Sequence, residues 1–247
     1  MEVSTTFGRI MESYLNLSVG QIIAHKYEII SLLGSGWEGE VYLTREKGTG
    51  IERTAKFFYP KRNAKNKCAL TYAKKLHKLR NTPNIIQYHN QEVIEIEGAA
   101  VTALISDYVE GEQFSEFISK QRGKRLPLYQ GLHLFYAIAK GLEKIHDSKE
   151  YHGDLHSDNV MIKQVGMGFE VRFLDFYNWG ASFSEMRKAD IIDLVRLLYE
   201  ILGGQKFYSK QPKFVKEIIC GQKTNIITKK FKAVADVRRF LESINWD

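Results

Sequence analysis

The first part of the chain carries the hydrophobic patterning of β-strands. Short runs rich in β-branched and aromatic residues are separated by glycine-containing turns, as in an antiparallel sheet. One interruption, 65–80, has apolar residues at near-helical intervals (Leu70, Ala73, Leu76 and Leu79) and predicts an amphipathic helix. The strands are predicted at 26–33, 41–44, 53–59, 85–96 and 100–107.

The pattern becomes mainly helical from about residue 112. The strongest helix is predicted over 128–148, with apolar residues recurring every three to four positions: Leu134, Ile138, Leu142 and Ile145. A second helix is predicted over 188–204, where glycines close it. A short hairpin of 160–162 and 171–176 lies between the two helices, and the tail from 205 to 247 looks helical. The fold class predicted for the whole chain is therefore α+β.

The net charge of +7 and the pI of about 9.2 show a basic protein, and the excess is local. From Lys56 to Arg80 there are nine lysines and arginines and no acidic residue. Such a segment forms either a solvated surface or a binding surface for an acidic partner, which we place at the helix region 61–80. The aromatic residues of this segment form no obvious stacking motif for bases, so the sequence does not favour nucleic acid as the ligand.

Two distant cysteines, Cys68 and Cys220, disfavour a disulfide framework or a zinc site. The first residues lack the basic segment and apolar run of a secretory signal, and no apolar stretch approaches the ~20 residues of a membrane span. We therefore expect a cytoplasmic protein without a membrane span, and export as an effector by a signal-independent route stays open as an alternative.

A glycine-rich segment, GSGWEGEV, fits the pattern G-x-G-x-x-G-x-V. A dinucleotide-binding turn would continue into a helix and a P-loop would end in Gly-Lys-Ser/Thr, whereas here strand-like VYLT follows. A glycine-rich hairpin lets backbone N–H groups approach phosphate oxygens, although an ordinary turn has the same composition. Lys56 follows Val41 by fifteen positions on the third predicted strand, where it would pair with phosphates.

The stretch YHGDLHSDNV, 151–160, concentrates titratable side chains. It would hold a metal, move a proton or form a polar turn. Asp154 and Asn159 in this stretch fit D-x-x-x-x-N, and Asp175 follows in LDFY after a strand-like run.

These motifs, in this order, resemble the catalytic set of the protein kinase-like superfamily. PNII, ISDYVEG, IAKGLEKIH and DIIDLVRLLYEILGG also fall in the family's order, and the resemblance covers roughly 26–204. It implies a two-lobed fold with a small, mostly β N-lobe and a reduced, mostly α C-lobe. The corresponding domain bounds are an N-terminal extension at 1–20, an N-lobe at 21–110 and a C-lobe at 111–247.

The resemblance also implies a site for ATP and Mg²⁺. Asp154 would accept the proton of the substrate hydroxyl, with Lys56 and His156 as further catalytic residues. Asn159 and Asp175 would bind the metal. His152 would be a packing element, with a transition-metal ligand as its alternative role. The implied nucleotide-binding residues are Gly34, Gly36, Gly39, Val41, Lys56, Asp107 and Val109.

Several positions depart from the family pattern. The helix glutamate that pairs with the strand lysine would fall near Tyr72 or Ala73, so either Glu92 or Glu95 replaces it, or Lys56 is held by phosphate and Asp175. Gly153 replaces the arginine of His-Arg-Asp, and Tyr177 replaces the glycine of Asp-Phe-Gly. His156 stands where serine/threonine kinases have lysine, and HGDLH resembles aminoglycoside and choline kinases.

Three functions are compatible with these features. The first is a compact, atypical serine/threonine kinase that phosphorylates a protein substrate or partner, with low or conditional activity. The second is a small-molecule kinase, which HGDLH favours. The third is a nucleotide-binding pseudokinase that acts as a scaffold, which the missing helix glutamate favours.

Overall fold

The computed structural model describes residues 15–178 and 180–245. The chain forms two compact units. The first extends from the start of the described residues to His77 and includes Gln87–Tyr108, and the second contains Lys78–Ile86 and the chain from Val109 onward. Of the N-terminal extension predicted at 1–20, the first fourteen residues lie outside the described ranges.

The first unit is built on a six-stranded antiparallel sheet in the order β1-β2-β3-β4-β6-β5. Its inner face carries fully buried side chains such as Ile29, Phe57 and Ile105. The sheet confirms the five strands predicted from the pattern and adds the two-residue β1. The strands are β1 Ile22–Ile23, β2 Tyr27–Ser35, β3 Gly39–Glu46, β4 Glu52–Phe58, β5 Tyr88–Ile96 and β6 Ala99–Asp107.

The predicted amphipathic helix is present as α1, Lys67–Lys78, after a short 3₁₀ turn at Ala64–Asn66. Its buried face differs from the predicted one. Leu70 is exposed, while Tyr72 and Lys75 are buried. The predicted face was wrong at Leu70 because hydropathy does not show which side of a helix meets the sheet, and an aromatic ring and a lysine stem can also cover apolar surface.

The second unit combines helices with a three-stranded sheet in the order β7-β8-β9. The predicted hairpin is present as β8 and β9, and the predicted helical tail is confirmed by four short helices. The strands are β7 Glu112–Gln113, β8 Val160–Val165 and β9 Gly168–Phe173. The helices are α2 Phe114–Lys120, α3 Leu128–Asp147, α4 Phe183–Ile201, α5 Gly204–Tyr208, α6 Lys213–Ile219, α7 Thr224–Lys230 and α8 Val234–Glu242.

The core of the second unit follows the long helix α3. The four side chains predicted to face the core have no exposed surface (Leu134, Ile138, Leu142 and Ile145). Across the described ranges, no helix combines the length and the apolar character needed to cross a bilayer.

Two predicted boundaries move for local reasons. Helix α4 begins at Phe183 rather than 188, because Ser182 and Glu185 form a reciprocal capping box. Strand β9 ends at Phe173, because Asp175 has a φ of +48°, which a strand does not accommodate.

Candidate active site

The glycine-rich hairpin joins β2 to β3 in the first unit. The backbone N–H of Gly36 donates to the carbonyl of Gly39 over 2.9 Å. A Cβ atom at Gly39 would lie 1.7 Å from the Phe57 carbonyl oxygen, so close strand packing already requires this glycine. Gly34 and Gly36 have open space around the Cα atom instead. On steric grounds, a ligand can therefore approach the backbone at Gly34 and Gly36, whereas Gly39 is occupied by strand packing.

Lys56 lies directly opposite Val41 in the β3–β4 register, which puts both side chains on one face of the sheet. Its Nζ atom donates to Oε2 of Glu38 over 3.1 Å. The same Nζ atom lies 4.7 Å from the ring centroid of Tyr72 and 5.4 Å from that of Phe58. The ammonium group of Lys56 therefore lies near two aromatic rings and is hydrogen-bonded to a carboxylate.

Glu38 corrects the expectation about the partner of this lysine. Of the carboxylates named from the sequence, Glu92 accepts a hydrogen bond from Asn90 and Glu95 is exposed on β5, while the alternative that phosphate and Asp175 hold Lys56 stays a prediction. The glycine-rich segment holds two glutamates, Glu38 and Glu40, and a carboxylate in a segment predicted to approach phosphates is the signal that would have pointed to a partner for Lys56.

The last predicted nucleotide contacts lie at the end of the first unit and the start of the second. Asp107 ends β6, and its Oδ1 atom accepts a hydrogen bond from Arg53 over 2.7 Å and lies 2.6 Å from Nε2 of His89. Val109 lies in the irregular segment that follows. The side chain of Asp107 is thus held by contacts within its own sheet, and the roles of Asp107 and Val109 as nucleotide contacts stay predictions.

In the second unit, the opening of the HGDLH loop is anchored by a buried carboxylate on α4. Asp190 is fully buried, and its two oxygens accept the backbone N–H groups of His152 and Gly153, each over 2.8 Å. Nε2 of His146 lies 2.9 Å from one of these oxygens. The loop backbone is therefore held in one conformation by a charge-assisted network.

The predicted catalytic and metal-binding side chains of this loop lie together. Nδ2 of Asn159 donates to the carbonyl of Asp154 over 2.8 Å and to its Oδ2 atom over 3.2 Å. Nε2 of His156 lies 2.9 Å from the same Nδ2 atom and 3.6 Å from Oδ2 of Asp154. About half of each of the Asp154 and His156 side chains is exposed, so both can be reached by a substrate.

His152 has the structural role expected of it. Its ring has no exposed surface and packs 4.8 Å from the ring of Phe176 and 5.8 Å from that of Phe173. Across the described residues, no group of three or more histidine, cysteine, aspartate or glutamate side chains is arranged to hold a metal ion.

The segment that carries Asp175 is tied to this loop by its backbone. The N–H of Leu174 donates to the carbonyl of Asn159, and the N–H of Tyr177 donates to that of His152. The left-handed φ of Asp175 is tolerated by aspartate and is the kind of backbone outlier that clusters at functional sites.

The donor set of this region suits a hard cation. Burial raises the pKa of Asp193 on α4 and the nearby charges of Asp190 and Asp154 act in the same direction, whereas the hydrogen bond and the charge of Arg196 lower it. The hydrogen bonds described for Asn159 use its amide nitrogen and backbone, which leaves its amide oxygen for a ligand. An amide oxygen and the carboxylate of Asp175 are the oxygen ligands that Mg²⁺ prefers.

Known proteins resemble this chain in sequence. Residues 27–182 match the protein kinase domain family. The serine/threonine-protein kinase pkn2 of Myxococcus xanthus is 25% identical over 196 residues, which cover 77% of this chain and 22% of pkn2. The serine/threonine-protein kinase Nek5 of Mus musculus is 27% identical over 144 residues, 57% of this chain and 21% of Nek5. The chain thus spans about a fifth of the length of these two relatives.

The fold is also that of a solved kinase domain. The crystal structure of a double mutant of the Mycobacterium tuberculosis PknI kinase domain superposes with a TM-score of 0.65 at 19% identity, covering 92% of this chain and 97% of that one. Since the family match extends over more than half of the sequence, this chain belongs to the protein kinase domain family.

Proposed function

We propose that this chain transfers the γ-phosphoryl group of ATP to a serine or threonine hydroxyl of a protein substrate. The observation that carries the proposal is the HGDLH loop, in which Asp190 fixes the backbone and Asn159 orients the carboxylate of Asp154. Serine/threonine kinases among the relatives support the same reaction and substrate class.

In this proposal the first unit binds the triphosphate. Backbone N–H groups of the hairpin at Gly34 and Gly36 approach the phosphates, and Lys56 donates to the α- and β-phosphate oxygens. Val41 lies beside Lys56 on the same face of the sheet and packs against the adenine, whose polar edge meets main-chain atoms between Asp107 and Val109. Gly39 acts indirectly, because it lets β3 approach β4.

Asp154 accepts the proton of the attacking hydroxyl. The hydroxyl oxygen forms a bond to the γ-phosphorus, the bond from that phosphorus to the bridging oxygen breaks, and ADP leaves with the electron pair. The hydrogen bond from Asn159 aims the carboxylate, and His156 borders both side chains and holds them in place.

Asn159 and Asp175 hold Mg²⁺ in this proposal, through the amide oxygen and the carboxylate. When bound, the ion supplies positive charge that neutralises the phosphate oxygens. The hydrogen bond from the N–H of Leu174 to the carbonyl of Asn159 fixes the segment that carries Asp175 relative to Asn159.

A small-molecule substrate is the second candidate, and one feature favours it. Only residues 176–182 separate Asp175 from α4, so little chain is available to dock an extended peptide. Transfer of label from ATP to an aminoglycoside or choline, with none to protein, would support this candidate over the first.

The basic surface of the first unit is proposed to bind an acidic protein partner or substrate. Lys61, Lys65, Lys67 and Lys74 are exposed there, and no acidic residue occurs between Arg53 and Gln91. Charge complementarity of this kind directs association with an oppositely charged surface.

The test of the proposed function pairs nucleotide affinity with turnover. Asp154→Asn is nearly isosteric and should keep ATP affinity while phosphate transfer falls by about 10²–10⁴-fold, the usual contribution of a positioned proton acceptor. Lys56→Ala should weaken ATP binding and transfer together. The measurements are calorimetric ATP affinity with magnesium and transfer of labelled phosphate to a generic protein substrate.

Equal turnover of Asp154→Asn and the wild type would remove Asp154 from the chemistry and contradict the proposal. ATP binding without transfer to protein, to itself or to a small molecule would instead support the scaffold function. His133→Asn is a suitable control, because His133 is an exposed residue on α3 in the same unit.

A further inference from the structure

We infer that Glu38, in the glycine-rich loop, is the positioning residue for Lys56 and does the work that a helix carboxylate does in the kinases this chain resembles. The inference deepens the proposed ATP-dependent transfer and rests on it. The ring of Tyr72 on α1 supports the lysine from the side where that carboxylate was expected.

The first support is the ion pair itself. Nζ of Lys56 lies 3.1 Å from Oε2 of Glu38, and the two side chains are only 11% and 22% exposed. A pair shielded to this degree is less screened by water and salt than a surface pair. The carboxylate therefore both neutralises the lysine and fixes the direction of its amine.

The second support is the environment of Lys56 on the side of α1, where Tyr72 lies at the place expected for the family's helix glutamate. The ring centroid of Tyr72 lies 4.7 Å from Nζ of Lys56, within the range of a cation–π contact. Tyr72 is buried and also packs edge-on against Phe58 at 6.3 Å. A ring attracts the cation without carrying a countercharge, whereas Glu38 supplies a carboxylate to the same amine from the loop.

The third support is that the backbone of the loop holds Glu38 in place. Its carbonyl accepts the N–H of Tyr59, just beyond the end of β4, over 2.9 Å. At the neighbouring position, the guanidinium of Arg62 stacks 3.3 Å from the ring of Trp37. The carboxylate is thus presented to Lys56 by a loop attached to the strand that carries the lysine.

This arrangement couples the glycine-rich loop to Lys56. In the family pattern these two parts of the proposed nucleotide site share no residue. Any shift of the loop changes the position of the lysine amine, because the same residue belongs to the loop and to the ion pair. The lysine has three N–H donors, so it can keep the bond to Glu38 and still donate to phosphate oxygens.

The decisive experiment removes the charge and then restores it from the helix. Glu38→Gln keeps the size of the side chain, and it should raise the Kd for ATP and the KM for ATP by about tenfold, since one charge-assisted contact is lost. The KM for the protein substrate should stay at the wild-type value, and the melting temperature should fall by no more than a few degrees, since the partly buried pair loses one charge. Glu95→Gln, an exposed change in the same sheet, should behave as wild type.

Adding Tyr72→Glu to Glu38→Gln moves the carboxylate to α1, beside the same lysine. ATP affinity should return to within about threefold of the wild type, and Glu38→Asp should keep most of it. Restoration shows that Lys56 requires a carboxylate at its amine, whichever element supplies it.

Three results would overturn the inference. ATP affinity of Glu38→Gln equal to the wild type would show that Lys56 does not need the pair, and tighter binding would show that Glu38 blocks the phosphates. A loss restored by neither Glu38→Asp nor the double variant would show a structural role of the loop alone. Failure of the wild-type protein to bind ATP would instead contradict the proposed function itself.

Discussion

At the scale of single residues, Gly153 shows how a departure from a family motif has a local cause. Its φ is +85°, and a Cβ atom there would lie 2.5 Å from the carbonyl oxygen of Tyr177. The glycine that replaces the arginine of His-Arg-Asp is therefore required by the close approach of the segment carrying Asp175. The two backbone segments pack so closely that no side chain fits at position 153.

Gly153→Ala should accordingly destabilise the protein and reduce phosphate transfer. Left-handed backbone at a non-glycine residue costs on the order of 1 kcal/mol, and the clash with Tyr177 adds to it, so the melting temperature should fall by several degrees. Gly166→Ala is the matched control, because Gly166 has a φ of +59° but nothing within 4 Å of the added atom.

Thermal unfolding and labelled-phosphate transfer of both variants separate backbone strain from contact. Losses of equal size in the two variants would show that the approach of Tyr177 contributes nothing. A larger loss in Gly153→Ala, accompanied by lower turnover, is the expected result.

At the scale of an element, the first turn of α4 is organised by its capping box. The N–H and Oγ of Ser182 donate to Oε2 of Glu185 over 3.0 and 2.7 Å, and the N–H of Glu185 donates back to Oγ over 3.3 Å. These bonds from Ser182 lower the pKa of Glu185 below its ordinary 4.5. The helix start is thus set by side chains that also place Asp190, two turns later.

Ser182→Ala should destabilise the protein by about 1 kcal/mol at neutral pH, the usual effect of losing such a cap. The folded-state pKa of Glu185 is lowered, so its contribution is complete above its unfolded pKa and is lost as the pH falls through the folded value. The difference in stability between the two proteins should therefore stay constant at neutral pH, begin to shrink as the pH approaches 4.5, and shrink further as the pH falls through the lowered folded-state pKa.

Denaturant unfolding at a series of pH values measures this difference. Ser184→Ala, an exposed change in the same helical turn, is the control and should follow the wild type at every pH. A difference between Ser182→Ala and the wild type that stays constant with pH would exclude Glu185 from the effect.

At the scale of the whole molecule, burial and ion pairing reduce the number of lysines that can form the proposed partner surface. Lys75 is 8% exposed, and Lys78 pairs with Glu150 over 2.7 Å within the second unit. These two lysines are therefore poor candidates for binding an acidic partner, although their charge counts toward the basic segment. The lysines exposed around the start and outer face of α1 carry the proposal.

Reversing the charge at Lys61, Lys65 and Lys74 should weaken binding to a polyglutamate peptide and make the remaining binding less dependent on salt, since fewer charge pairs form. ATP affinity should not change. Reversal at Lys213, Lys223 and Lys229 makes the same change in net charge on the second unit and serves as the control. Equal weakening in both triple variants would show that net charge alone is responsible, and no weakening in either would favour a solvated surface.

Much of the fold could be predicted from the sequence. Alternating and helical periodicities located the strands of the sheet and the long helices, because one face of each element is buried. The order of the glycine-rich hairpin, Lys56, HGDLH and Asp175 was enough to indicate a kinase. The S-x-x-E pattern at Ser182 was also present, and it marks the true start of α4.

What only the tertiary structure decided are the contacts between residues far apart in the chain. Glu38 and Lys56 are eighteen positions apart and meet because β3 pairs with β4, and Asp190 reaches Gly153 across thirty-seven positions. The need for glycine at 153 depends on the carbonyl of Tyr177. Periodicity shows which face of an element is buried, but the partner at a given distance and angle is determined by the packing of whole elements, which a local pattern does not encode.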